Sequence, residues 1–514
     1  MLSKQGIKFP RFFVQLRKNS SIPVPTSTII KTGQIVSRLG FGGYRINRND
    51  DSHKVALEKA IKSGINVIDT STHFEFGESE EVIGKVLNNA IKDGTVTREG
   101  MVIISKAGYV NIADTTHLDD SFAKINDKSA HSISPEFLNK QISDSLSRLN
   151  LEKLDIFMLN NPERILQAKN KHLSISNLYD DIERALDYLD KEVMKGRIGG
   201  YGICSNSMAI SIAADHISLP KIFEKLSNSS KKNFMSIQTP FNLFERDLIQ
   251  RGVGQTCSLA EYAKSNDIFI FTNRPLHAMA GGSIRKLVNN LRDLPEHQIV
   301  NNLSNGLQRL DQLESEFSNE LFPLGHPLST KFIWSQIFSQ NLSRLSQNHF
   351  ATKYYLEKQA KPAIIRDLDC LCDYVKNMAL DEEKSRLQSW MMNYQMETQS
   401  LMDSMVSYAL INVLHSNDEL DSIISYLAPS LYLETVQHHS PLSVKALRIN
   451  LANQIIGCVL VGMRKPEYVQ DSLSALELSD DDYLTIEALN DIYAMIRLVN
   501  KSADFFYSSF VKWA

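Results

Sequence analysis

Between Gln34 and Leu276 the sequence alternates, without a break, between short apolar runs and amphipathic segments. The apolar runs are Gln34–Ile46, Ile65–Ile68, Met101–Tyr109, Leu154–Pro162, Ile198–Asn206, Phe234–Asn242 and Ile268–Leu276. The segments between them carry apolar residues three and four apart, the spacing of a helix with one buried face. Start and stop residues frame several of them: Asp51 or Ser52 and then Gly64 around the first helix, Ser79 with acids after it at the second, Ser134 and Glu136 at the third. A strand written as a continuous apolar run is buried on both faces, and such strands alternating with helices build a parallel sheet. No G-x-G-x-x-G follows the first strand, so the dinucleotide fingerprint of an open sheet is absent.

The alternation stops near Gly282, and to about Ser440 the text is helical throughout. It then resumes once: Leu442–Gln454 reads as a helix, Ile455–Met463 as a strand and the stretch from Pro466 as a helix. That supplies an eighth strand. The expected fold is a (β/α)8 TIM barrel with an all-helical insertion between strands seven and eight, and its working end is the C-terminal rim of the strands. The expected divisions are a leader and linker at 1–28, the first seven strands at 29–280, the insertion at 281–440, the last helix-strand-helix unit at 441–478 and a helical tail at 479–514.

A chain of 514 residues has room for such a barrel plus the insertion. A formal net charge of -3 gives nucleic acid or an anionic membrane no global attraction. The five cysteines are scattered, and Cys370 with Cys372 is too little for a zinc site, so no metal is expected and a reducing compartment fits. The longest clean apolar run, Ile455 to Gly462, is the length of a strand, and no transmembrane helix is expected. Residues 1–49 contain no Asp or Glu but carry Lys4, Lys8, Arg11, Arg17, Lys18, Lys31, Arg38, Arg45 and Arg48. Basic, hydroxyl and bulky apolar residues mixed in this way suit a mitochondrial transit peptide and a matrix location. Pro10 interrupts the amphipathic helix, and a plain basic tail is the alternative.

Four strand ends carry chemistry: Asp69, Lys106, Asn160 and the pair Ser205–Asn206. The stretch Gly64–Glu80, GINVIDTSTHFEFGESE, places an acid just past a buried strand. Together with SRLGFGGYR, MKGRIGGYGICSN and VLVGMRKPEYVQD, in that order, it resembles the aldo-keto reductase superfamily over about Gln34–Leu276 and Ser443–Leu478. The resemblance implies hydride transfer between NADP(H) and a carbonyl. It also implies a tetrad of Asp, Tyr, Lys and His, in which the Tyr donates a proton beside a cation that lowers its pKa.

Carried over residue by residue, Asp69 and Lys106 match the Asp and the Lys. Phe74 stands at the Tyr position and Asn160 at the His position, and no tyrosine lies between Asp69 and Glu80. His73 and Tyr44 are the substitute donors the sequence offers. Asp69 and Lys106 alternatively form a buried ion pair that neither charge can leave. On the cofactor side, Ser205, Asn206 and Gln238 match residues that hold the nicotinamide carboxamide. Arg464, with Lys465, matches the arginine at the 2′-phosphate, and Asp471 an acid near the adenine. Ser472 replaces the family's Asn, and no aromatic residue stands in Thr272–Leu276 to stack on the nicotinamide. For Arg464 the plainer reading is a solvated loop cation.

Three functions compete. The favoured one is an NADP(H)-binding sensor or scaffold that has lost its proton donor and meets a protein partner through the insertion. The second is an active reductase with a substitute acid. The third is an organelle assembly or gene-expression factor that binds no nucleotide. In the insertion Trp390, Met391, Met392, Tyr394 and Met396 read as core or as a partner groove, and the terminal aromatics as packing or a docking peptide.

Overall fold

The computed structural model describes residues 24–111, 121–170, 173–280, 283–288, 295–321, 328–427 and 441–476, apart from 253, 329 and 379, together with 492 and 494. The leader expected at 1–28 lies outside these residues as far as 23, and the tail expected at 479–514 lies outside them except at 492 and 494. The chain divides into two compact units, residues 1–280 with 424–514, and residues 281–423.

The first unit is a closed eight-stranded parallel barrel. Its strands are β1 (Leu39–Gly42), β2 (Val67–Asp69), β3 (Val102–Ala107), β4 (Leu154–Asn160), β5 (Ile198–Cys204), β6 (Phe234–Pro240), β7 (Phe269–Asn273) and β8 (Cys458–Val461). Each pairs in parallel with the next, and β8 closes on β1 through Val459–Leu39 and its neighbours. Every residue of β3 and β6 is buried, as continuous apolar runs demand.

The run Gln34–Ile46 is not one strand. Gln34–Ser37 pairs antiparallel with Thr26–Ile29, a stretch that reads as linker, and only Leu39–Gly42 enters the barrel. Arg38 makes the break: its backbone N donates to Pro25 O at 2.8 Å, and its guanidinium donates to Asn453 O and Ile456 O, both at 3.0 Å. The hairpin buries Ile29 and Val36 in one cluster with Val67, Val102, Ile104, Phe271 and Leu460. It therefore plugs the barrel's N-terminal end, which leaves the opposite rim for chemistry.

That rim is shaped by Gly43 and by the helix Glu78–Lys92. Gly43 N donates to Asp69 O at 2.7 Å, and a Cβ on Gly43 would lie 2.9 Å from that same oxygen, so only glycine permits the approach. Ser79 does not cap the helix. The cap position is Gly77, and the Ser79 hydroxyl donates to Gly43 O at 2.8 Å. Glu80 points inward. It accepts from Ser105 and Ser145 hydroxyls, both at 2.6 Å, and from Arg148 Nε at 2.7 Å, which compensates a charge buried under the barrel wall.

The second unit is helical. Its helices include Glu296–Glu316, Trp334–Leu345 and Lys361–Lys376, and the long helix Asp381–Leu427 begins in it. They enclose their own core of Leu310, Phe317, Phe332, Phe338, Leu371, Trp390, Tyr394 and Leu401. The aromatic and Met cluster divides. Trp390 donates to Leu313 O at 2.9 Å and Tyr394 to Glu314 Oε1 at 2.8 Å, both from the core. Met392 and Met396 are exposed along a groove of about 810 Å³ with Ile364 and Lys361. Among the described residues no helix is long and apolar enough to cross a membrane.

Candidate active site

Five strand ends, that of Asp69 among them, meet in one hydrogen-bonded network. The Asp69 carboxylate accepts from Lys106 Nζ, across from β3, and from Gln238 Nε2, on β6, at 2.8 Å. Gln238 Oε1 in turn accepts from Cys204 Sγ at 3.0 Å and Asn273 Nδ2 at 3.2 Å, at the ends of β5 and β7. Asp69 is 5% exposed, Lys106 and Gln238 2% each. The strand ends thus supply a paired charge inside a closed amide network, which holds both members of the pair in fixed places. Gln238, expected to hold a carboxamide, already spends most of its hydrogen-bonding capacity on its neighbours.

The loop after Asp69 is held tightly. Thr70 N donates to Ile104 O at 2.8 Å and Thr72 N to Lys106 O at 3.0 Å. It then turns through left-handed conformations at Glu75, Phe76 and Gly77, with φ of 47°, 57° and 92°. Two consecutive non-glycine residues there cost roughly 1–2 kcal/mol each, so the surrounding contacts must fix the loop. The turn places the Phe74 ring 5.4 Å from Lys106 Nζ. Tyr44 packs edge-on against Phe74 at 5.2 Å, and His73 at 5.0 Å. A phenyl ring therefore faces the ammonium, and it has no proton to give.

His73 beside it has one ring nitrogen committed. Ser71 Oγ donates to Lys106 O at 2.8 Å, so its one proton is committed and it accepts from His73 Nδ1 at 2.8 Å. Burial, then the Lys106 ammonium and His131, hold the His73 imidazole down to about 3. It is neutral at physiological pH, with Nε2 left as an acceptor.

Asn160 shares this corner. Its Nδ2 reaches Ser71 Oγ only at 3.5 Å, and its backbone oxygen accepts from His131 Nε2 at 2.8 Å. The Tyr109 ring stands between His73, at 5.0 Å, and His131, at 5.1 Å, and Asn161 Nδ2 donates to the Tyr109 hydroxyl at 2.9 Å. Burial pushes His131 down to about 4. Its neutral form is the folded form, so its contribution to stability is complete above the unfolded value near 6.5 and is lost as pH falls from there toward 4. The loss comes to about 3 kcal/mol. His131→Gln keeps a donor for Asn160 O and is expected to lose less stability over that window, read as urea midpoints of variant and wild type at neutral and acid pH.

The Ser205–Asn206 turn is tied to an acid. Ser205 Oγ donates to Glu163 Oε1 at 2.9 Å, and Asn206 N donates to the same oxygen at 3.1 Å. Ser205 Oγ also accepts from Ser207 N and Met208 N, so the hydroxyl is fully used. The Asn206 side chain has no partner among the described residues. Past β8, Lys465 occupies the N-cap position of the helix Pro466–Ser474 without a side-chain capping bond, and the Arg464 guanidinium beside it has no partner among the described residues. Asp471 lies on that helix, its carboxyl raised by burial and by Glu467, and Ser472 is spent on Tyr468 O at 2.7 Å.

The aldo/keto reductase family model matches residues 38–361. The chain belongs to the aldo/keto reductase family. It is 26% identical over 205 residues to the NADH-specific methylglyoxal reductase of Escherichia coli, covering 38% of this chain and 53% of that protein. It is 26% identical over 248 residues to the aldo-keto reductase YhdN of Bacillus subtilis, covering 47% and 59%. The chain thus spans somewhat more than half the length of these curated relatives. Among solved structures, the holo form of aldo-keto reductase AKR11C1 from Bacillus halodurans matches 91% of this chain and 95% of its own at 15% identity and a TM-score of 0.45. An aldo/keto reductase from Klebsiella pneumoniae in complex with NADP and acetate matches 90% and 93% at 12% identity and a TM-score of 0.40.

In this family member the barrel rim brings Asp69, Lys106, Phe74, Gln238 and Asn160 into one neighbourhood, with Ser205 and Asn206 beside it. Sequence reasoning did not single out Glu163, Tyr109, His131 or Asn273. Glu163 was within reach of the argument that found Asp69, because it is an acid three residues past the end of β4. Tyr109 stands three residues past Lys106, a strand-end position as well. His131 lies on a short strand far along the β3 connection, where no periodic pattern marks it.

Proposed function

We propose that this chain is an aldo/keto reductase-fold protein that binds NADP(H) but has lost proton-donor chemistry, and that it acts as a nucleotide-responsive sensor or scaffold. The observation that carries this reading is Phe74, a ring without a hydroxyl, facing the Lys106 ammonium at 5.4 Å. His73, neutral and with Nδ1 committed, supplies no acid in its stead. Bound NADPH would supply a hydride. The residues present fit such a ligand. Arg464 offers an uncommitted planar cation at a helix N-terminus, where backbone N–H groups also favour phosphate. Lys465 adds a second cation there, and the Asn206 amide is uncommitted at the other end. Ser205 and Gln238 contribute through their neighbours, since their own polar atoms are spent.

Calorimetry of NADPH on the purified chain, with turnover of a carbonyl panel, tests the reading. Saturable binding without turnover supports it, and turnover at ordinary enzyme rates would overturn it. Arg464→Ala is expected to weaken NADPH about 10–100-fold, the worth of a charged hydrogen-bonded contact, and to weaken NADH much less.

A second reading keeps the reductase activity. Tyr44 is 58% exposed, packs on Phe74, and its hydroxyl has no partner among the described residues. If turnover is found and Tyr44→Phe abolishes it, Tyr44 is the acid and the sensor reading fails.

A further inference from the structure

Glu163 is a buried acid that the Asp69 network does not use. It is the second residue of the short 3-10 helix Pro162–Gln167 after β4, and it is 1% exposed. One carboxylate oxygen, Oε1, takes both the Ser205 hydroxyl and the Asn206 backbone N–H. The other, Oε2, is buried with no partner. A buried carboxylate oxygen without a donor is costly when charged, and relief comes either from a proton or from a new donor. Beyond the acid's own backbone N–H, which favours the ionised form, the groups that surround it bring no donor to Oε2. Asp215, in the loop after β5, repels its charge; Tyr109, past β3, accepts from Asn161 Nδ2 and meets Arg164, and makes no hydrogen bond to the acid. Cys204, on β5, gives its thiol to Gln238, and through Cys204 the Asp69–Lys106 pair is the next shell of charge.

We propose that Glu163 is the positioning residue of the Ser205–Asn206 turn, and that NADP(H) binding to this turn is coupled to release of the Glu163 proton. The inference rests on the NADP(H)-binding reading. The ionised carboxylate accepts the Ser205 and Asn206 donors in charge-assisted bonds, about twice the strength of neutral ones. It holds the turn, and with it the free Asn206 amide, in one place. The protonated acid holds it less firmly. Burial pushes the Glu163 carboxyl up to about 7, so both forms are populated where the protein would work. A ligand that needs the turn ordered therefore binds the ionised form, and a proton leaves as it binds. Among nearby groups, His73 and His131 are held near 3 and 4 and stay neutral across this range.

The test is calorimetric titration of NADPH into the full chain, in two buffers of different ionisation enthalpy, at about pH 6, 7 and 8. Wild type is expected to bind about tenfold more weakly at pH 6 than at pH 8, and to release about half a proton at pH 7. The 2′-phosphate of the ligand itself titrates near 6, which accounts for about a twofold change and about a tenth of a proton. Glu163→Gln keeps an acceptor for Ser205 and Asn206 and should show only that phosphate background. Equal pH dependence in wild type and Glu163→Gln overturns the proposal. If the variant does not fold, the wild-type proton count decides alone: a tenth of a proton or less at pH 7 overturns it. Wild type that binds no NADPH at any pH overturns the underlying binding reading as well, so the two failures are distinct.

Discussion

Phe74→Tyr combined with Asn160→His is expected to raise NADPH-dependent turnover of a carbonyl panel about 10²–10⁴-fold over wild type, the range a positioned general acid contributes. The charged pair is in place. Lys106 is held by Asp69, and Asp69 by Gln238, so a hydroxyl added at Phe74 meets a fixed cation. A tyrosine titrates near 10 in water, and an opposite charge within a few ångströms favours its ionised form and lowers that value. The ring now turns its face to the ammonium at 5.4 Å and must rotate to bring the hydroxyl nearer. Phe74 is half-buried beside solvent, so the added oxygen needs no cavity. Asn160 is harder to change. It is 4% exposed, and an imidazole there crowds Ser71 and the His131 contact. Overpacking of that kind costs typically 1–3 kcal/mol. Phe74→Tyr alone is therefore measured beside the double variant. NADPH affinity should stay within about threefold of wild type in both. A double variant that binds NADPH, stays folded and gains no turnover would show that the missing donor is not what limits the chemistry.

The barrel was legible because each of its strands is a continuous apolar run between helices of clear period. Asp69 and Lys106 were legible because polar residues at the ends of such runs have few structural reasons to be there. What the residues hydrogen-bond to was not legible. Nothing in the spacing says that Gln238 turns to Asp69, 169 residues away, or that Ser205 turns to Glu163. Glu80 reads only as an acid in the first turn of a helix, yet it is sealed by Arg148, 68 residues on, and by two serines. The hairpin at Thr26–Ile29 was hidden for another reason. Its pairing depends on Arg38 being drawn off to Asn453 and Ile456, at the far end of the chain, which breaks an otherwise unbroken apolar text. Periodicity reports which face is buried. It does not report partners, and the chemistry of the rim is made of partners.

Lys106→Met is expected to destabilise the barrel unit by about 3–5 kcal/mol, the usual cost of stranding one member of a buried ion pair. Asp69 is 5% exposed, and without Lys106 its carboxylate keeps only the Gln238 amide. Asp69→Asn removes the other charge and strands an ammonium that is 2% exposed. The double variant Asp69→Asn, Lys106→Met removes both charges and is expected to cost less than either single one, because buried pairs exchanged for uncharged residues of like size are close to neutral. Urea unfolding followed by far-ultraviolet circular dichroism measures this. Tryptophan fluorescence is dominated by the helical unit, since Trp334 and Trp390, two of the three tryptophans, lie there. A Lys106→Met loss below about 1 kcal/mol would mean that the pair is not a structural element of the rim. A large loss with a mild double variant has a functional consequence. It means that a barrel with phenylalanine at position 74 needs Asp69 and Lys106 together for folding. The charged half of the tetrad then ceases to be an argument for catalysis, and the decision passes to the side chain at position 74.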